Sequence, residues 1–339
     1  MKRILPISLF LIAGWVFAER PQPDTVRVRL FSQEQPSVVR VTTADGRTLV
    51  LNARELTSPF QDDGPVTIQR GSSAAIRVQH PIKISARDGT LVILTELSID
   101  DYVAGVLAGE SSGFRSEESM KAMAVASRTY AAHFMHRHES EGFDFCDSTH
   151  CQDLRITAVT SRLRKAVDAT SSEVLRYEGQ PIPAYYHQNC GGTTEARSPY
   201  LAQTKDAFCV SRGRRPWSTE LTASDLEVAL GLREVFGIEV IERTNSGRAQ
   251  RLRVSGAANR VMDAEIFRLA VGRALGWDRI RSDRYEVRRS GGRFVFEGYG
   301  AGHGIGLCQD GAAVMGEKGY TYKEILAFYF PNTTIAKVR

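Results

Sequence analysis

Alternation of apolar and polar residues marks the part of the chain that follows the N-terminal segment. The run Val26-Arg27-Val28-Arg29-Leu30 places every second side chain on one face, which is typical of a half-buried β-strand. Comparable strand patterns and Asp-Gly hairpin signals recur at 38–41, Asp45-Gly46, 48–51, 75–78 and Asp88-Gly89. We therefore expect a β-rich N-terminal region over residues 24–95, with no cluster of catalytic side chains in it.

The pattern changes to a helical period after residue 97. Ser98 stands before two acidic residues, a combination that predicts an N-cap and the start of a helix, and Gly109 is expected to end that helix. Apolar side chains follow Ser98 at helical spacing, at Tyr102, Val103, Val106 and Leu107. A second helix is predicted from Ser116 to about His136, and its many alanines suit a buried helix with close neighbours.

Shorter elements alternate along the rest of the chain. We expect strands and turns over 173–210, a helix over 222–235, and strands near 248–256 and 284–297 on either side of a helical piece. The segment Thr321-Tyr322-Lys323-Glu324 is a capping box that opens the last helix, which Pro331 closes. This mixed order of strands and helices predicts an α+β fold.

The first residues have the features of an export signal. Lys2 and Arg3 precede an apolar stretch that is short for a membrane span, and cleavage after Ala18 would leave residues 1–18 as a signal peptide. An uncleaved N-terminal membrane anchor is the alternative. Removing Lys2 and Arg3 lowers the formal net charge of +5 by two. The weak positive charge that remains does not favour nucleic acid as a partner, but it suits an anionic polymer such as the cell wall.

Glu110 is the first candidate for chemistry. It stands just past the expected end of the first helix, where the negative end of the helix dipole disfavours an ionised carboxylate. Such a carboxyl should keep its proton to higher pH, as a general acid requires. The same position is also compatible with a solvated loop glutamate.

The five cysteines allow both metal binding and disulfides. Cys146, His150 and Cys151 lie within six residues and could form a zinc half-site, whose fourth ligand would come from elsewhere, or the two cysteines could form a disulfide. Cys190 could pair with Cys209, which would close a loop of about 20 residues. The odd number of cysteines leaves one thiol unpaired or bound to a metal.

Two polar segments could line a cleft. Tyr185 and His187 precede a Gly-Gly turn, and His303 lies in a segment with glycine at every second position, which lets the backbone approach closely. The glycine-rich segment does not match a phosphate-binding loop, because no start within it gives the G-x-G-x-x-G spacing. A further group, His133, His136 and His138, is interpreted as a solvated helix end.

Several segments, taken in order, resemble the stage II sporulation protein D family, which includes the amidase enhancer proteins. The resemblance rests on 97–110, on the alanine-rich run 119–131, on 184–195 with its Cys-Gly-Gly sequence, on 246–248 and on the His303 segment through Ala312. It covers roughly residues 95–335, so we expect the catalytic domain to span 96–339.

The resemblance implies a lytic transglycosylase that acts on peptidoglycan glycan strands, including strands stripped of stem peptides. Glu110 matches the family's catalytic glutamate, although many relatives have Glu-Met-Pro where this chain has Glu110-Ser111-Ser112. Similar clostridial members carry zinc at the segment that matches Cys146, His150 and Cys151, which favours zinc over a disulfide there, but not every member keeps these cysteines. Sugar binding is expected from Tyr185, His187, His303 and Gln309.

Two other functions remain open at this stage. A non-catalytic wall-binding protein could assist a separate amidase, and other cell-wall hydrolases would then be its partners. A glycoside hydrolase would usually need a second carboxylate about 5–10 Å from the first, and the sequence nominates none.

Overall fold

The computed structural model of the protein describes residues 24–111 and 113–338. The predicted signal peptide, residues 1–18, therefore lies outside the described residues. Within these two ranges no helix is long and apolar enough to cross a membrane. Helices and strands are mixed throughout, which confirms the predicted α+β class.

The N-terminal region is built of strands, as the alternating pattern predicts. These are β1 Thr25–Leu30, β2 Val38–Thr42, β3 Thr48–Asn52, β4 Phe60–Asp62, β5 Val66–Gln69, β6 Ile76–Val78, β7 Ile82–Arg87 and β8 Thr90–Ser98. One sheet has the order β3-β2-β5-β6. A second has the order β4-β7-β8-β1-β9, and its edge strand β9, Phe145–Cys146, pairs in parallel with β1. The N-terminal sheet therefore continues directly into the segment that carries Cys146.

Helix α1, Ile99–Glu110, follows β8 without a loop. Ser98 caps it by accepting a hydrogen bond from the backbone N–H of Asp101, as predicted. The expectation that Gly109 ends the helix is wrong, because α1 continues to Glu110. Gly109 lies inside the last turn, where its missing side chain makes room for another segment of backbone.

Helix α2, Glu117–Phe134, is the central helix of the larger core. Its predicted N-cap, Ser116, accepts a hydrogen bond from the backbone N–H of Glu118. Most of the alanines of α2 are buried and let it pack closely against α1 and the short helix α3, Ser161–Asp168. Arg128 is fully buried in this packing and binds Asp100 at 2.9 Å.

The rest of the larger core comes from segments that are distant in sequence. They are β10 Glu173–Tyr177, β11 Gln180–Pro181, β12 Tyr186–His187, α4 Ala207–Ser211, and, near the C-terminus, β19 Leu307–Cys308, α7 Gln309–Glu317, α8 Tyr322–Tyr329 and β20 Thr334–Lys337. Strands β12 and β19 pair in parallel, with His187 opposite Cys308. The predicted capping box of Thr321 and Glu324 opens α8.

A second hydrophobic core is formed by residues that lie between β12 and β19 in the sequence. Its elements are β13 Pro216–Leu221, α5 Ala223–Leu230, β14 Gly237–Arg243, β15 Ala249–Ser255, β16 Arg260–Asp263, α6 Ala264–Leu275, β17 Tyr285–Ser290 and β18 Arg293–Tyr299. The helix predicted over 222–235 ends at Leu230, because Gly231 adopts a left-handed conformation with φ 62°. The sequence did not indicate this separate core, and the predicted division at residues 95 and 96 remains a prediction.

Candidate functional site

Glu110 is the last helical residue of α1, and both oxygens of its carboxyl group have a hydrogen-bond donor. The backbone N–H of Asp153 donates to Oε1 at 3.1 Å, and the side-chain amide of Gln309 donates to Oε2 at 3.2 Å. Glu110 is thus held by two segments that are far from it in sequence. A freely solvated loop glutamate would not be fixed in this way.

Burial raises the pKa of the Glu110 carboxyl above its ordinary value. The hydrogen bonds from Asp153 and Gln309 oppose this shift, while the negative charge of Asp153 adds to it. The direction agrees with the sequence-based expectation, but the principal cause is removal from water and not the helix dipole. A carboxyl in this state can donate a proton at a higher pH than an exposed glutamate.

Gly109 determines how closely the segment that carries Asp153 approaches helix α1. A Cβ at this position would collide with the backbone carbonyl oxygen of Asp153, and a Cβ at Gly105 would lie 2.7 Å from Leu154. The two glycines are four residues apart and share one face of α1. Residues 153–154 therefore lie directly on the helix, and Arg155 donates its N–H to the Gly105 carbonyl at 2.9 Å.

Asp153 also supplies a second carboxylate close to Glu110, which the sequence did not reveal. Its side chain forms a two-point contact with Arg155, at 3.0 and 3.4 Å. These two contacts orient the Asp153 carboxylate. Its location next to Glu110 depends on the close approach at Gly109, so spacing along the chain could not identify it.

A buried amide links two tyrosines beside Glu110. Tyr102 donates to Oε1 of Gln152 at 3.0 Å, and Nε2 of Gln152 donates to the Tyr186 hydroxyl at 2.9 Å. Burial and, second, the charge of Glu110 raise the pKa of Tyr186 well above its ordinary value. Tyr186, which the sequence analysis did not single out, is thus the tyrosine of strand β12 that interacts with Glu110. Tyr185 directly precedes the strand, and its role in sugar binding stays a prediction.

Tyr185, His187 and His303 form a separate group. The Tyr185 and His303 rings meet edge to face at 5.8 Å, and the His187 and His303 ring centroids are 5.5 Å apart. Burial lowers the pKa of His303 to about 3 and that of His187 well below its ordinary value, so both are neutral at pH 7. His187 is only 4% exposed, and its Nδ1 lies 3.1 Å from the carbonyl of Ile305. Of the four predicted sugar-binding residues, only Gln309 makes a hydrogen bond to Glu110.

Cys146, His150 and Cys151 meet as predicted, and His138 joins them. One donor atom from each lies within 4.8 Å of the others, a set that could hold a metal ion. The two sulfurs are 3.4 Å apart and unbonded, and Nε2 of His138 is 3.4 Å from the Cys151 sulfur. Two thiols and two imidazoles are a donor set that zinc prefers, so the residues fit this ion. His138, interpreted from sequence as part of a solvated helix end, completes the set.

A basic cavity of about 500 Å³ lies next to the segment that carries Gln309. Arg115, Arg212 and Arg215 line it together with Gly113 and Asp310. Arg215 forms a short ion pair with Asp310, at 2.7 Å. Arginine side chains bind carboxylates and phosphates strongly, so the cavity can receive an anionic group. The sequence analysis did not single out any of these arginines.

Cys190 and Cys209, considered as a disulfide from sequence, are not bonded to each other. Their thiols are buried and lie next to Cys308 and Asp206. The structure therefore brings together one more cysteine than the predicted pairing used.

Comparisons with known proteins match two parts of the chain to family models. Residues 87–177 match the model described as "Stage II sporulation protein", and residues 195–306 match a domain of unknown function, DUF8618. The second match contains the elements from β13 to β18, which form the second hydrophobic core.

Related proteins cover a longer part of the chain. An uncharacterized protein of Brachyspira hyodysenteriae is 30% identical over 260 residues, which is 73% of this chain and 68% of the relative. Stage II sporulation protein D of Bacillus subtilis is 24% identical over 264 residues, 71% of this chain and 75% of that protein. The amidase enhancer of Bacillus subtilis is 25% identical over 285 residues, 68% of this chain but only 40% of the enhancer.

Proposed function

The chain belongs to the stage II sporulation protein D family, and from this premise we propose that it is an exported lytic transglycosylase of peptidoglycan. Glu110 is its general acid and base. The observation that carries the proposal is the state of this carboxyl, which is partly buried, has a raised pKa and is fixed by two donors. Those are the properties that a proton donor to a glycosidic oxygen requires.

The reaction needs one carboxyl group. Glu110 donates its proton to the glycosidic oxygen between N-acetylmuramic acid and N-acetylglucosamine as the bond to the muramic C1 breaks. The C6 hydroxyl of the same muramic residue then attacks C1 and gives its proton to the Glu110 carboxylate. The products are a chain with a 1,6-anhydro end and a chain with a free hydroxyl, and the enzyme is returned to its starting state.

The two donors have a defined task in this cycle. The Asp153 N–H and the Gln309 amide stabilise the carboxylate that exists after proton donation, and they keep it oriented towards the sugar. Burial favours the protonated form that begins the cycle. Because these two influences oppose each other, neither form of Glu110 is held so strongly that the proton cannot move.

The arginine-lined cavity supports an anionic glycan as the substrate. In strands without stem peptides, the lactyl group of each muramic residue ends in a free carboxylate. Arg115 has no ion pair with any described residue and can bind such a group, whereas Arg215 is already paired with Asp310. The Arg115→Gln variant should therefore raise KM for stripped strands about 10-fold with little change in kcat. An unchanged KM would argue against this role.

Zinc bound by His138, Cys146, His150 and Cys151 would stabilise the segment that continues into Asp153. Bound zinc would supply rigid cross-linking of this loop. His138→Ala should bind zinc at least 10-fold more weakly and should therefore contain less zinc by elemental analysis after dialysis. His136→Ala is the matched control, because His136 binds Asp144 instead. Equal zinc contents in the two variants would contradict the assignment of His138.

A non-catalytic role is the second candidate, because one relative is named an amidase enhancer. A glycoside hydrolase is the third, with Asp153 as the second carboxylate. Mass spectrometry of the products from purified glycan strands separates all three, with wild type, Glu110→Gln and Asp153→Asn compared in parallel. A transglycosylase gives anhydro ends with wild type and with Asp153→Asn, and intact substrate with Glu110→Gln.

The contrary results are equally distinct. Reducing ends in place of anhydro ends would identify a hydrolase. Intact substrate from folded wild-type protein would contradict the proposed enzymatic activity. If wild type and Glu110→Gln then accelerated a purified amidase equally well, the enhancer role would replace it.

A further inference from the structure

Four buried side chains from distant segments of the chain meet next to Gln309, since one of them is Cys308, the residue directly before it. Cys190 follows strand β12, Asp206 caps helix α4, Cys209 lies within α4, and Cys308 ends β19 and precedes α7. All four are essentially inaccessible to solvent, and one donor atom from each lies within 4.8 Å of the other three. We call this set the Cys190 cluster.

The buried position of Asp206 among uncharged donors is the first sign that the Cys190 cluster holds a cation. Its Oδ1 accepts the N–H of Cys209, and its Oδ2 accepts the hydroxyl of Tyr329, both at 2.8 Å. The Cys190 thiol also donates to Oδ2, at 3.4 Å. None of these donors carries a positive charge, and no arginine, lysine or histidine in the described ranges forms an ion pair with Asp206. Buried carboxylates in proteins are commonly paired with a cation or bound to a metal, so a metal ion beside Asp206 would supply the positive partner that the side chains do not.

The sulfur atoms provide the second sign. The backbone N–H of Cys190 donates to the Cys308 sulfur, and the N–H of Gly192 donates to the Cys190 sulfur, both at 3.3 Å. Backbone donors that point at sulfur stabilise thiolates, the form in which cysteine binds metals. The dimensions also fit, since a tetrahedral zinc with bonds of about 2.3 Å separates its sulfur ligands by about 3.8 Å.

A disulfide explains the Cys190 cluster less well. It would use two of the three sulfurs, leave the third thiol outside the bond, and provide no cation for Asp206. A single ion with four ligands uses all three sulfurs and the carboxylate. The Tyr329 hydroxyl would then orient the carboxylate, as outer-shell hydrogen bonds commonly do at metal sites.

We propose that Cys190, Asp206, Cys209 and Cys308 form a second metal site, which binds Zn²⁺ through three thiolates and one carboxylate. All ligand positions are supplied by the protein and are buried, so the ion is structural. Its place in the fold gives it a positioning effect, because Cys308 is directly followed by Gln309, the donor to Glu110. The site joins the end of β12, helix α4 and the start of α7.

Metal content tests the proposal without any assay of activity, so its outcome is separate from that of the proposed enzyme function. Purified full-length protein, kept free of chelators, should contain about two zinc ions per chain by elemental analysis. Cys146→Ser/Cys151→Ser removes the ligands of the other cluster and should retain about one zinc ion, as should Cys308→Ala. The variant with all three substitutions should contain none.

X-ray absorption at the zinc edge tests the site even if the Cys308→Ala variant does not fold. The zinc that remains in Cys146→Ser/Cys151→Ser should have about three sulfur neighbours at about 2.3 Å and one oxygen. Loss of all zinc from this variant while it stays folded would overturn the proposal. So would a disulfide between any two of Cys190, Cys209 and Cys308, detected by mass spectrometry after alkylation without reduction.

Discussion

The backbone carbonyl of Asp153 packs directly against the α-carbon of Gly109, the residue that precedes Glu110 in helix α1. This contact places the N–H of Asp153 within hydrogen-bond distance of the Glu110 carboxylate, at 3.1 Å. A glycine that would ordinarily weaken a helix is therefore part of what positions the acid.

Replacing Gly109 by alanine should destabilise the protein by about 1–3 kcal/mol, because the new methyl group collides with the Asp153 carbonyl. Urea unfolding measures the change. Gly113→Ala is the matched control, since nothing lies within 4 Å of a Cβ there, and it should change stability by less than about 1 kcal/mol. Equal effects of the two substitutions would mean that the contact does not constrain residue 109.

The pH dependence of glycan cleavage should report the Glu110 carboxyl. The rate falls as pH rises through the raised pKa of Glu110, because the proton donor is lost. Gln309→Leu removes a hydrogen bond that lowers this pKa, so the decline of kcat/KM should move to higher pH. Gln203 binds the Asn245 carbonyl instead, and Gln203→Leu should leave the profile in place. A shift to lower pH in Gln309→Leu would contradict the assigned hydrogen bond.

Ionisation of Glu110 should reduce the stability of the folded protein. A pKa raised by burial contributes stability that is present below the ordinary glutamate pKa and is lost as pH rises through the raised value. The free energy of unfolding of Glu110→Gln, relative to wild type, should therefore increase as the pH rises from about 4 to about 7. Urea unfolding at both pH values measures this change. The gain would be the stability that the site gives up for its function.

Glu324 provides a control of opposite sign. Hydrogen bonds from Thr321 lower the pKa of Glu324, so its contribution is present above the ordinary pKa and is lost on acidification. Glu324→Gln should thus lose stability relative to wild type at neutral pH and lose less near pH 4. If both variants changed in the same direction, the opposite pKa shifts would be refuted.

Arg128 should be the most costly arginine to remove from the helical core. Its fully buried side chain pairs with Asp100 at 2.9 Å and donates to the Thr170 carbonyl at 2.8 Å. Arg128→Met should cost about 3–5 kcal/mol, because it leaves these partners unsatisfied. Arg164→Met breaks a half-exposed pair with Asp101 and should cost about 1 kcal/mol or less. Thermal and urea unfolding of the two variants provide the comparison.

Local features of the fold could be predicted from the sequence, and the reason is physical. The N-caps at Ser98, Ser116 and Thr321 depend only on contacts within three residues, so the side-chain pattern is sufficient to locate them. The alternating strands of the N-terminal region are predictable for the same reason. The helix expected over 222–235 failed only at its end, where Gly231 terminates it early.

Features that depend on long-range approach could not be predicted. A glycine that ends a helix and a glycine that admits another backbone look alike in sequence, so Gly109 was misinterpreted. His138 lies eight residues before Cys146 and joins the metal ligands only because the loop folds back. Asp153, Tyr186 and the arginine-lined cavity were missed because each is defined by segments that meet only in the folded chain.

Glu110 and Gln309 are 199 positions apart in the sequence, which has a consequence for the order of assembly. A chain that emerges from the ribosome or crosses a membrane N-terminus first presents Glu110 long before Gln309 exists beside it. In the folded chain, β19 directly precedes Gln309 and pairs with β12, on the far side of the second core in sequence. Closing so long a loop is slow compared with forming a local helix. The carboxyl therefore acquires its full environment among the last events of folding.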